Sequence, residues 1–154
     1  MKYIVSIIGS FKQHYEEIVN SLRWLNKNGI QVNTPLGNNV VKEGIDFVRF
    51  TSDDPRFTDA EIQTFTLKKI FNSQATYVIA PEGYVGRTTC YEVGRIIQNR
   101  HPLYFSSRVS DLPIFIPDNH IVSVQDFANI VKSKAIKPIY DKETGFLAEA
   151  ENSL

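Results

Sequence analysis

Short apolar, β-branched stretches alternate along this chain with longer stretches in which apolar residues recur every three or four positions. Residues 3–8 (YIVSII) form the first apolar run. It lacks period-two alternation, which is the pattern of a strand buried on both faces of a parallel sheet. Gly9-Ser10-Phe11 breaks it. Ile18, Val19, Leu22 and Leu25 then mark one face of a helix over residues 13–28, stopped at Asn28-Gly29. Residues 30–32 read as a second strand, ended by Thr34-Pro35.

Residues 36–44 read as loop, and residues 45–50 as a further strand or an irregular extended piece. Thr58-Asp59-Ala60-Glu61 is a capping box that opens a helix over residues 59–72, with Ile62, Phe65 and Ile70 expected in the core. Residues 76–80 are another buried strand, followed by a glycine-bearing loop, Pro81 to Gly86. A helix over residues 89–99 carries Val93, Ile96 and Ile97 on one face. Residues 102–105 form a strand, 106–113 a surface loop, and 114–116 and 121–122 short extended pieces. Ser123 caps a last helix over residues 125–134, and residues 135–154 read as a peripheral tail. The alternation predicts an α/β fold: a single three-layer domain spanning residues 1–154, with a mostly parallel five-stranded sheet in the order 2-1-3-4-5.

Composition narrows the function classes. Lys and Arg together number 17, and Asp and Glu 17. A balanced charge excludes a strongly basic nucleic-acid coat and an acidic solvating tail, so no nucleic-acid polymer is expected as partner. Cys90 is the one cysteine, so no intrachain disulfide can form. His14, His101 and His120 are too far apart for metal-ligand spacing. No 18-residue apolar run is present and the apolar start is interrupted at Gly9, so neither a membrane span nor a signal peptide is expected. A cytoplasmic protein is the simplest reading.

In open parallel sheets ligands bind beyond the carboxyl ends of the strands. Two loops qualify, Gly9-Ser10-Phe11 and Pro81 to Gly86, each leading into a helix whose first N–H groups are free. Gly9, Gly83 and Gly86 let a ligand approach closely. Ser10, Thr88 and Thr89 offer hydroxyls, Arg87 a cation, and Phe11 and Tyr84 rings for a nucleobase. The same glycines also serve a strand-to-helix turn on geometry alone. Neither loop carries a P-loop or a GxGxxG pattern. Glu92 has two readings. As a carboxylate near a helix start it would have a lowered pKa and act as a nucleophile. As the last residue of Thr89-Cys90-Tyr91-Glu92 it would only complete a capping box. His14 is near the Gly9 loop and could touch a ligand, but a surface histidine is the simpler reading, and Cys90 reads as an inert thiol.

Ile7-Ile8-Gly9-Ser10-Phe11 and residues 83–94 (GYVGRTTCYEVG) resemble the first loop and the Gly-Tyr-x-Gly…Glu-x-Gly segment of the nucleoside 2-deoxyribosyltransferase-like superfamily. Phe47-Val48-Arg49-Phe50 with Asp53-Asp54 is similar to its members as well. The resemblance covers about residues 3–105. It implies a flavodoxin-like fold and cleavage of the N-glycosidic bond of a nucleoside or nucleoside 5′-monophosphate, by hydrolysis or deoxyribosyl transfer. Glu92 would be the nucleophile that forms a glycosyl ester, with no cofactor and no metal, in a homo-oligomer. A non-catalytic nucleotide-binding module of the same fold is the alternative. The chain departs from the family where members carry an acidic residue in the helix before the central strand. Residues 64–68 (TFTLK) hold none, and Asp53, Asp54 and Glu82 are the remaining candidates for a second carboxylate.

Overall fold

The computed structural model describes residues 1–35 and 54–139. Strand β1 (Tyr3–Gly9) leads to helix α1 (Phe11–Lys27) and strand β2 (Ile30–Thr34). Helix α2 (Asp59–Phe71), strand β3 (Ala75–Ile79), helix α3 (Arg87–Gln98), strand β4 (Leu103–Phe105) and helix α4 (Val124–Lys132) follow. Single 3-10 turns occupy Pro81–Gly83 and Asp118–His120. All strand pairs are parallel, in the order β2-β1-β3-β4.

The period-two geometry of the strands sorts their side chains onto two faces. Val5 and Ile7 of β1, with Ala75, Tyr77 and Ile79 of β3, pack against Ile18, Leu22 and Leu25 of α1 and Phe127 and Val131 of α4. Ile8, Val78, Leu103 and Phe105 point the other way, against Leu67 and Ile70 of α2 and Val93 and Ile96 of α3. Both faces of the sheet are thus covered, which explains why these strands read as unbroken apolar runs.

The sheet of the described residues has four strands rather than five. Its order matches the expected order through the fourth position. The place of a fifth strand is taken by one parallel bridge, Ile121 to Phe105. Only Ile121 and Val122 separate the turn Asp118–His120 from Ser123, the N-cap of α4, which is too short a stretch for a ladder. Residues 45–50, weighed as a strand, lie outside the described residues.

Phe65, expected in the core, is instead exposed. At about 100° per residue, Ile62, Leu67 and Ile70 define a buried stripe, and Phe65 lies about 130° around the helix from its centre. Its ring packs edge-on against Phe57, centroids 4.9 Å apart. The first residues of the expected tail lie on the domain: Ile139 is buried in the second core, and the Lys137 N–H donates to the Tyr104 hydroxyl at 2.9 Å. Residues 140–154 lie outside the described residues.

Candidate functional site at the switch point

The chain leaves β1 at Gly9 and β3 at Ile79, and these two residues are register partners. β2 lies on one side of β1 and β3 on the other. The topological switch point therefore falls between β1 and β3, where ligands bind in open parallel sheets. A Cβ at Gly9 would lie 2.7 Å from the Ile79 carbonyl oxygen, so only glycine allows this close approach.

The two loops meet. A Cβ at Gly86 would stand 3.6 Å from Ser10 Cβ and 3.4 Å from the Tyr84 hydroxyl. The Tyr84 ring meets His14 of α1 edge-on, with centroids 5.9 Å apart and planes at 70°. Ser10 is the N-cap of α1, and its Oγ accepts the Gln13 N–H at 3.3 Å; its own hydroxyl proton remains available to a ligand. Phe11 turns inward onto the first core and Tyr15. Tyr84 is 40% exposed. Arg87 is exposed at the first turn of α3, whereas Thr89 is buried.

The second loop takes its shape from the loop after β4. Glu82 and Gly83 both have left-handed backbone, φ 58° and 84°. The Ala80 N–H donates to Ser106 Oγ at 2.8 Å, and the Ser107 hydroxyl donates to the Ala80 carbonyl. The Ser110 N–H donates to the Gly83 carbonyl at 2.8 Å. Asp111 accepts the Val85 and Gly86 N–H groups, each at 3.1 Å. Its carboxylate thus caps the start of α3 from outside that helix, where negative charge is favourable. One of the free amides expected of this helix start, that of the N-cap Gly86, is thus already satisfied.

Glu92 has neither the lowered pKa nor the capping-box position expected of it. α3 begins at Arg87, with Gly86 as an N-cap that makes no side-chain hydrogen bond. Glu92 therefore lies five residues in, about 8 Å along the axis, beyond the turn with unpaired N–H groups, and is no capping-box residue. It is 5% exposed. Its Oε2 accepts a hydrogen bond from Gln63 Nε2 of α2 at 3.3 Å. Burial pushes its pKa up from 4.5 to about 7, partly opposed by the Gln63 hydrogen bond. The helix start does not lower it, because the dipole effect fades beyond the first turn.

The other candidates spread apart. Asp54 is ion-paired with Arg56 at 2.6 Å, and Asp53 lies outside the described residues. Cys90 is half-buried, and its thiol is pushed up by burial and then by Asp111. His14 is not the surface histidine expected, since its Nε2 is buried.

Two residues near the site, Gln63 and Asp111, escaped the sequence reading. Gln63 carried a signal: it continues the Leu67–Ile70 stripe at four- and seven-residue spacing, so it is a polar residue on a buried face. Asp111 sits in a polar loop and gave no local sign of the amides it would cap. His14 was weighed beside the first loop as a ligand contact against a surface histidine, and the burial of its Nε2 is what the sequence did not show.

Fold and site together define an open, parallel α/β domain of flavodoxin-like strand order, with glycine-bearing loops meeting at its switch point and a buried carboxylate on the adjoining helix. The chain matches no family model, no curated protein and no solved structure.

Proposed function

We propose that this flavodoxin-like domain cleaves the N-glycosidic bond of a nucleoside or nucleoside 5′-monophosphate, with Glu92 as nucleophile. The observation that carries the reading is the buried Glu92 carboxyl on the helix that leaves the switch-point loop; that burial pushes its pKa up to about 7. A desolvated carboxyl near its own midpoint at neutral pH suits bond-making chemistry better than a structural role. Ionised, it would attack C1′ as the bond to the base breaks. The oxocarbenium-like transition state would gain from one negative charge in a dry setting. Water, or an acceptor base, would then resolve the glycosyl ester. Ser10, Gly86 and Thr88 would border the sugar, and Tyr84 the base; Gly83, packed against Arg108 and Ser110, shapes the loop instead. The resemblance of residues 83–94 to the Gly-Tyr-x-Gly…Glu-x-Gly segment supports the same assignment.

The test is incubation with a panel of ribo- and deoxyribonucleosides and their 5′-monophosphates, with free base followed by chromatography. Base release that Glu92→Gln lowers by about a thousandfold or more is expected. No release above that variant, across the panel, sinks the enzymatic reading. A second reading, ligand binding without turnover, is favoured by Gln63, which gives Glu92 an amide partner rather than a second carboxylate. It requires bound nucleoside with no product.

A further inference from the structure

His14 lies where the two loops meet, and nothing in the reading above uses it. It follows the N-cap Ser10 by four residues, and its backbone departs from helical angles (φ −129°, ψ 32°), so a kink separates the first turn of α1 from the rest. Its ring stands edge-on to Tyr84, and Tyr84 in turn borders Gly86, which also faces Ser10. Nε2 of this imidazole is buried and has no hydrogen-bond partner among the described residues. Native interiors rarely leave such an atom unsatisfied, because it gives up water and receives nothing in return. A phenylalanine would pack against Tyr84 equally well without that cost. The half-exposed ring of Tyr84 beside an unsatisfied ring nitrogen is a pairing suited to a planar heterocycle, which stacks on one and hydrogen-bonds to the other.

We propose that His14 Nε2 hydrogen-bonds the nucleobase and acts as the acid for its departure; this rests on the glycosidic reading above. With imidazolium at His14, the C1′–N bond breaks and its electron pair goes to the base nitrogen, which takes the Nε2 proton. Glu92 forms the new C1′–O bond. In the second half, water adds its oxygen to C1′, Glu92 leaves as carboxylate, and the water proton returns to Nε2. The sum is hydrolysis, with both side chains restored.

The experiment pairs a binding readout with a kinetic one. In the Glu92→Gln protein labelled with ¹⁵N-histidine, added deoxynucleoside is expected to shift the His14 ring nitrogens and to leave those of His101 unmoved. In the active protein, His14→Phe is expected to slow nucleosides with poor leaving bases about a hundredfold or more. Nucleosides carrying an activated, electron-poor base should lose much less, and His14→Gln should bind nucleoside like the unsubstituted chain while sharing that selective loss. Nucleoside that binds or is cleaved with the His14 signals unmoved overturns the role of His14 and leaves the glycosidic reading standing. Uniform loss across all leaving groups does the same. Absence of any nucleoside binding overturns both. If His14→Phe does not fold, the spectrum of the Glu92→Gln protein and the His14→Gln kinetics decide.

Discussion

Gln63 Nε2 of α2 donates a hydrogen bond across 3.3 Å to Glu92 Oε2 of α3. That bond favours the ionised carboxylate, against the burial that favours the neutral acid. The balance puts the midpoint of Glu92 at about 7, so small changes in its surroundings move it across neutral pH.

If ionised Glu92 is the attacking group, base release rises with pH along a limb whose midpoint lies near 7. Gln63→Leu keeps the volume and removes the hydrogen bond that lowers the pKa. The limb is then expected to move to higher pH. A pH–rate profile of both proteins checks this, and an unmoved midpoint would show that Gln63 does not set the ionisation of Glu92.

Glu92 and His101 give stability opposite pH dependences. Glu92 has a raised folded pKa, so it contributes fully below 4.5, and that contribution is lost as pH rises through about 7. The gap between the two values corresponds to about 3 kcal/mol. His101, held neutral by burial with its pKa lowered from 6.5 to about 4, contributes above 6.5 and loses that as pH falls through 4. Between pH 4.5 and 6.5 the two slopes oppose. Glu92→Gln is expected to expose a stability that rises with pH, and His101→Gln one that falls. Urea unfolding of the three proteins at pH 4.5, 6 and 7.5 tests the signs.

Two glycines of the same region should respond oppositely to alanine. At Gly83 the backbone is left-handed (φ 84°) and a Cβ would meet the Arg108 carbonyl and Ser110 Oγ, both at 2.8 Å. Gly83→Ala is expected to destabilise by about 1–3 kcal/mol and to disturb the loop that meets Ser10. Gly94 sits in α3 with nothing within 4 Å of a Cβ. Gly94→Ala is expected to stabilise by about 0.5–1 kcal/mol. Thermal unfolding of the two variants beside the parent protein reads both shifts.

Asp111 accepts the Val85 and Gly86 amides and also raises the Cys90 pKa through its charge, after burial. Asp111→Asn removes the charge while leaving an oxygen to accept. The Cys90 thiol is then expected to react faster with a disulfide reagent at fixed pH, because more of it is thiolate. An unchanged or slower rate in folded protein would show that burial alone sets Cys90. Asp111→Ala leaves two amides without an acceptor and is expected to lose about 1–3 kcal/mol of stability.

The layered α/β architecture was legible because its signals are local. Tyr3–Gly9 and Ala75–Ile79 are apolar on both faces, and Ile18, Leu22 and Leu25 recur at helical spacing, so each element announced its own burial. Thr58 and Glu61 announced the start of α2, since both partners of that cap lie within one turn. The two loops could also be picked out in advance, because strand-to-helix turns at a parallel sheet's carboxyl edge are where ligands bind.

The character of Glu92 could not be read in this way. A motif placed it near a helix start, where a lowered pKa would be expected, but burial pushes it upward. The cause is the packing of α3 against α2, which brings Gln63 from 29 positions away and removes water. The same holds for Asp111, which reaches amides 25 and 26 positions earlier, and for the His14 ring against Tyr84. Periodicity and caps are set by residues within a few positions of one another, so the chain order carries them. Desolvation and long-range hydrogen bonds depend on which elements come to lie together, and for this protein they set the ionisation of its central carboxyl group.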